Sequence, residues 1–202
     1  MSRIAVFGGT FNPPHLAHKR LICEMNSKVG FDKILIVPTF VPPHKTSPFL
    51  AKSEDRLEMC RRTFFEECFD VSDIEIVRGG KSYTYDTLCQ MKRQYGENEW
   101  FLIVGSDMLL SFDKWYRYED ILKMCTLCVA SRENSVDTEK LALFSKEKLS
   151  LNEENGEIII LSAKPFELSS TEIRSLIKEQ KDALPYVEEK TLEYIQEKGL
   201  YL

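Results

Sequence analysis

Six short apolar runs, at residues 4–7, 34–37, 71–77, 100–104, 126–130 and 158–161, punctuate the chain, and most of the gaps between them carry helical periodicity. A short continuous apolar run such as 4–7 suits a strand buried on both faces, while the amphipathic segments at 16–27, 53–65, 84–94 and 138–148 suit helices laid over such a sheet. The alternation predicts a doubly wound parallel α/β sheet. A further amphipathic helix is expected at 184–198, and a polar turn at 151–157 before the last strand. With no internal repeat or low-complexity linker, residues 1–202 are expected to form a single domain.

Ligands of such sheets bind beyond the carboxyl ends of the strands. After the first run the sequence continues Gly8 Gly9 Thr10 Phe11 Asn12 Pro13 Pro14 His15 Leu16 Ala17 His18. The glycines allow a sharp turn and a close backbone approach to a ligand, and the prolines stiffen the loop while removing two N–H groups. If a helix begins near His15, His15 and His18 share its first turn, with the positive end of the helix dipole behind them. Backbone donors and two imidazoles then converge where a phosphate would sit.

Other segments offer matching chemistry. The loop after the second run ends in His44 and Lys45, both able to meet a phosphate. Ser169, Ser170, Thr171, Glu172 and Arg174 combine a capping box with a helix N-terminus and a guanidinium fork, which serve equally as a well-started helix and as an anion nest. The fourth run ends in Gly105 Ser106 Asp107, where a carboxylate suits ribose hydroxyls or caps a helix. Phe112, Trp115 and Tyr116 offer an aromatic face for a flat heterocycle, or core. In the stretch 82–88, Thr84 and Asp86 are candidate helix caps.

Composition narrows the partners. A net charge of −5 argues against nucleic acid and anionic membrane surfaces, and no apolar stretch approaches the roughly 20 residues a membrane helix needs. With no signal-peptide pattern, a cytoplasmic protein is expected. Cys125 and Cys128 form a CxxC, but the run 124–130 reads as a strand, on which positions three apart face opposite sides, so core thiols are expected rather than a metal site.

Taken together, the glycine loop with HxxH, the PPHK loop, SYTYDTL, the GSD turn, the WY pair and SSTEIR resemble, in order, the bacterial-type nicotinate mononucleotide adenylyltransferases. HxxH and SSTxIR alone mark only the wider nucleotidyltransferase superfamily, which includes phosphopantetheine adenylyltransferase. The resemblance implies a Rossmann-like fold with C-terminal helices, and adenylyl transfer from ATP to nicotinate mononucleotide within NAD biosynthesis. It implies that Gly8, Gly9, Thr10, Phe11, His15, His18, Gly105, Asp107, Arg132, Ser170, Thr171 and Arg174 bind ATP, with His15, His18, Lys45 and Arg174 catalytic. Asn12 and Lys45 would meet the mononucleotide phosphate, Trp115 would stack on the pyridine ring, and backbone amides near Thr84 and Tyr116 would meet its carboxylate. Mg²⁺ would arrive with the nucleotide, with no protein metal site, and a homo-oligomer is left open. Asn12 stands where many members carry aspartate, and Arg132 lacks the following proline–glycine. The alternatives are transfer to the amide mononucleotide or to phosphopantetheine, and a nucleotide sensor without turnover.

Overall fold

Six strands form one sheet in the order β3-β2-β1-β4-β5-β6 in a computed structural model that describes residues 1–42, 49–132, 138–149, 157–163 and 169–202. In chain order the elements are β1 (Arg3–Gly9), α1 (Leu16–Val29), β2 (Lys33–Pro38), α2 (Ser53–Thr63), β3 (Phe69–Val71), α3 (Ile74–Arg78), α4 (Thr84–Tyr95), β4 (Glu99–Gly105) and α5 (Ser106–Leu109). A 3₁₀ turn (Phe112–Lys114), α6 (Tyr118–Met124), β5 (Thr126–Arg132), α7 (Thr138–Lys148), β6 (Ile158–Ala163), α8 (Ser170–Lys178) and α9 (Glu189–Lys198) complete it. β1 pairs with β4, β4 with β5 and β5 with β6, all parallel, through registers such as Val6↔Leu102, Leu102↔Leu127 and Leu127↔Ile158. This is the doubly wound α/β sheet expected from the sequence. Its strand order reverses between β1 and β4, the switch point at which such sheets bind ligands.

Packing groups the chain into two compact units. The first comprises residues 1–8, 21–34 and 83–165. Its strands carry the apolar runs directly: Ile4 to Phe7 on β1 and Trp100 to Val104 on β4 are all buried, as both-faced coverage requires. The second comprises residues 9–20, 35–82 and 166–202. Its core joins Met59 of α2, Ile173 and Ile177 of α8, and Tyr194 and Ile195 of α9. The i, i+4 spacing of Ile173 and Ile177 puts both on one helical face.

Three expectations need correction. The run 71–77 is not one strand: β3 ends at Val71, and Ile74–Arg78 is a short helix. Ser72 Oγ accepts the Ile74 N–H at 3.4 Å, so turn chemistry at Ser72 and Asp73 overrides the β-branched pattern. The last helix begins at Glu189 rather than 184; Pro185 disfavours helical geometry in the residue before it. Strand β5 begins at Thr126, leaving Met124 in α6 and Cys125 as its C-terminal cap. Both thiols of the CxxC are buried, and desolvation pushes each up to about 12. The expected polar turn at 151–157 falls almost wholly outside the described residues, which resume at Glu157.

Candidate active site

In the second unit, the loop that follows β1 is held by its own ring and by its neighbours' side chains. Phe11 is buried and takes a left-handed backbone conformation, φ +48°, a costly choice for an aromatic residue. Its ring lies over Gly9, where a Cβ would stand only 2.9 Å from the ring tip, so any other residue there would force the buried ring to shift. The Asn12–Pro13 peptide is cis.

Three carbonyls of the loop are captured by donors from distant elements. Arg56 Nη1 of α2 donates to Thr10 O at 2.8 Å, Arg174 Nη1 of α8 to Asn12 O at 2.7 Å, and Ser170 Oγ to Pro13 O at 2.9 Å. The negative ends of these peptide dipoles are therefore drawn into protein donors. A trans peptide sets its N–H opposite its C=O, so turning Thr10 O toward Arg56 aims the Phe11 N–H the other way. Asn12 is 5% exposed, and its side-chain Oδ1 accepts from Ala51 N–H (3.0 Å) and Tyr201 O–H (2.8 Å) while Nδ2 donates to Phe49 O (3.0 Å). One backbone donor and one backbone acceptor fix which end of the amide faces which way.

His15 precedes the first residue of α1 rather than lying within its first turn, yet its ring stacks on His18 with centroids 3.7 Å apart and planes at 29°. His18 also meets the Phe11 ring edge-on at 5.2 Å. The His15 N–H donates to His18 Nδ1 at 3.3 Å. A neutral His18 with Nδ1 as acceptor carries its proton on Nε2, which makes that nitrogen a donor. Leu16 N–H is taken by Tyr186 O at 2.8 Å, so the helix entrance is anchored from the C-terminal segment.

At α8 the predicted capping box is complete: Ser169 Oγ accepts from Glu172 N–H, and Glu172 Oε2 accepts from Ser169 N–H at 2.7 Å. The Ser169 N–H, and the Ser169 hydroxyl that donates to the same Oε2 at 2.7 Å, hold the Glu172 carboxyl below its usual range. Arg174 Nη2 donates to Thr171 Oγ1 at 3.1 Å, so the guanidinium links the helix start to Asn12. Ser170 and Thr171 occupy the first two positions of the helix, whose N–H groups have no intrahelical acceptor. The glycine loop, HxxH and SSTEIR, separated by some 160 residues, are thereby one assembly.

The first unit holds the other candidates. Gly105 is the N-cap of α5, and Asp107 is exposed in its first turn rather than capping it. Asp107 Oδ1 folds back to 2.6 Å from the place a Gly105 Cβ would take. Trp115, half-buried, ends the 3₁₀ turn and packs against the fully buried Phe112 at 4.9 Å. Tyr116 is 52% exposed, 5.0 Å from Tyr83 and 6.1 Å from Tyr85. Arg117, with φ +57°, lies 4.0 Å over the Tyr85 ring and pairs with Asp120 at 2.6 Å. Neither Thr84 nor Asp86 caps α4: the N-cap is Tyr83, without a side-chain bond. Lys45 and His44 lie outside the described residues, as does the side chain of Arg132.

Residues 6–176 match the family model described as cytidylyltransferase-like. A Fusobacterium nucleatum protein named "Probable nicotinate-nucleotide adenylyltransferase" is 37% identical over 96% of this chain and 97% of its own. A Clostridium acetobutylicum protein of the same name is 36% identical over the full length of both. The chain belongs to the nicotinate-nucleotide adenylyltransferase family. Among solved structures, the Plasmodium falciparum nicotinic acid mononucleotide adenylyltransferase complexed with NaAD superposes with a TM-score of 0.78 at 18% identity, covering 100% of this chain and 98% of that one.

Arg56 and Tyr201 also hold the loop after β1, and Tyr83 and Tyr85 face Tyr116. Tyr83 and Tyr85 lie two apart within SYTYDTL, and that spacing is their signal in the sequence. Arg56 and Tyr201 gave no local signal, because their partners lie 46 and 189 residues away.

Proposed function

We propose that this protein transfers the adenylyl group of ATP to nicotinate mononucleotide, giving nicotinate adenine dinucleotide and pyrophosphate in NAD biosynthesis. The observation that carries the reading is the tether of the α8 start to the HxxH loop through Ser170 and Arg174. It gathers guanidinium, helix-terminal N–H groups and imidazoles in one unit, the donor set a triphosphate needs.

In the proposed reaction a phosphate oxygen of the mononucleotide attacks the α-phosphorus of ATP in line. The bond from that phosphorus to the bridging oxygen breaks, and pyrophosphate leaves with the electron pair. Such a step asks mainly for positioning and charge stabilisation. His18, through Nε2–H, and His15 steady charge on the ATP phosphates, while Ser170, Thr171 and Arg174 hold the departing pyrophosphate. Gly8, Gly9, Thr10 and Phe11 bring main chain to the nucleotide, and Gly105, Asp107 and Arg132 serve its nucleoside side. Asn12, expected at the mononucleotide phosphate, serves through the loop that its side chain pins; Lys45 meets that phosphate. Trp115 stacks on the pyridine ring, and main-chain N–H groups near Thr84 and Tyr116 receive its carboxylate. Donors of this kind favour an acid over an amide.

No cluster of three metal-ligating side chains occurs among the described residues. We propose that Mg²⁺ enters on the phosphates of ATP, where it offsets their charge. No helix among the described residues is long and apolar enough to cross a membrane, and the proposed substrates place the enzyme in the cytoplasm.

The test is pyrophosphate release from ATP and Mg²⁺ with each acceptor alone. Turnover is expected with nicotinate mononucleotide. Preference for the amide mononucleotide or phosphopantetheine, or nucleotide binding without turnover, would reject the proposal.

A further inference from the structure

Arg56 is the largest fully buried side chain among the described residues, 1% exposed, and it lies outside the glycine loop, HxxH, PPHK, SYTYDTL, GSD, WY and SSTEIR segments. Its guanidinium is spread over three main-chain carbonyls from three segments: Nη1 to Thr10 O (2.8 Å), Nη2 to Phe40 O (3.0 Å) and Nε to Ala51 O (3.1 Å). It forms no ion pair among the described residues; Glu54 and Glu75 attract it only at longer range. A buried cation held solely by neutral carbonyls is costly to desolvate, and a neutral side chain would fill the space at lower cost. The cost is matched by what the planar fork does, since no ammonium reaches three acceptors in that geometry. Through Thr10 it sets the peptide plane that aims the Phe11 N–H, and through Phe40 and Ala51 it fixes residues on either side of the segment that follows β2.

We propose that Arg56 is a positioning residue for adenylyl transfer: its guanidinium holds the loop after β1 in its phosphate-binding shape, and its charge, which no carboxylate among the described residues pairs, draws the ATP phosphates toward that loop. The inference rests on the adenylyl-transfer reading above. Its electrostatic part follows from position alone, because a charge in a low-dielectric interior is weakly screened.

The experiment compares Arg56→Lys, Arg56→Met and Arg56→Ala in the full chain by thermal unfolding, pyrophosphate-release kinetics, and calorimetry with a non-hydrolysable ATP analogue. Arg56→Lys keeps the charge and loses the fork, so kcat/KM for ATP is expected to fall roughly 10²-fold, the scale of a small misplacement of reacting groups. Arg56→Met, without charge, is expected to bind the analogue more weakly than Arg56→Lys. Millimolar guanidinium is expected to restore part of the turnover of Arg56→Ala, which a purely stabilising role would not do. Wild-type kinetics in Arg56→Lys, equal analogue affinity in the Lys and Met variants with no rescue of Arg56→Ala, or collapse of all three folds unreversed by guanidinium would each overturn the proposal. If the wild-type protein itself adenylylates no mononucleotide, the functional reading fails, while the calorimetry still reports on Arg56.

Discussion

Between Thr10 and Pro13 the backbone carbonyls are held by a guanidinium, a second guanidinium and a hydroxyl, whereas from Tyr83 to Arg117 the contacts are ring on ring and cation over ring. The first region is built from directional bonds of 2.7–2.9 Å to buried or half-buried atoms, and so has one shape. The second presents a half-exposed Tyr116 and a half-buried Trp115, and stacking tolerates sliding. A loop that stabilises a transition state needs the former; a surface that grips a flat ring is served by the latter. Substitutions in the first should therefore act on turnover, and those in the second on acceptor binding.

The strongest break of that contrast would come from His18. His18→Ala is expected to lower kcat roughly 10²-fold or more with little change in acceptor KM, the scale of losing one oriented donor; steady-state kinetics with unchanged turnover would remove the contrast. Trp115→Ala is expected to raise the acceptor KM about tenfold, the worth of one good stack, leaving ATP KM and saturated kcat alone. A fall in saturated kcat would place Trp115 in the chemistry instead. Tyr201→Phe keeps the ring and deletes the hydroxyl that Asn12 accepts, so a loss of about 1 kcal/mol is expected in denaturant titration, with a lower kcat. Burial pushes the Tyr201 phenol well above its ordinary value of 10.0, so the group stays a donor throughout any neutral assay.

The smallest effect concerns pH. The Glu172 carboxyl is held below its ordinary 4.5 by the N–H and hydroxyl of Ser169, so its contribution is complete above about pH 4.5 and is lost as pH falls through the depressed value. Ser169→Ala removes the hydroxyl and keeps the N–H, so it should lessen that acid dependence of stability without abolishing it; an unchanged acid unfolding curve would show that the hydroxyl contributes nothing there.

How far the chain could be read without coordinates follows from where each signal lies. The loop after β1 was legible because glycine and proline shape the main chain locally and two histidines follow them within eleven consecutive residues. The capping box was legible for the same reason. The run 71–77 misled because its β-branched side chains outweigh, in sequence, a Ser72 turn that decides the backbone. Arg56 was illegible: on an amphipathic helix an arginine reads as solvated, and only tertiary packing turns it inward. Tyr83 and Tyr85 are visible in the sequence as aromatic residues two apart, but their contact with Tyr116, some 30 residues on, is a product of the fold.

The bond from Tyr201 to Asn12 spans 189 residues. At roughly 5–20 residues per second, a ribosome delivers Tyr201 about 10–40 s after Asn12. During that interval the nascent chain has its nucleotide loop without the clasp that fixes Asn12, so a polypeptide released early would carry the family's most recognisable motif and lack its lock.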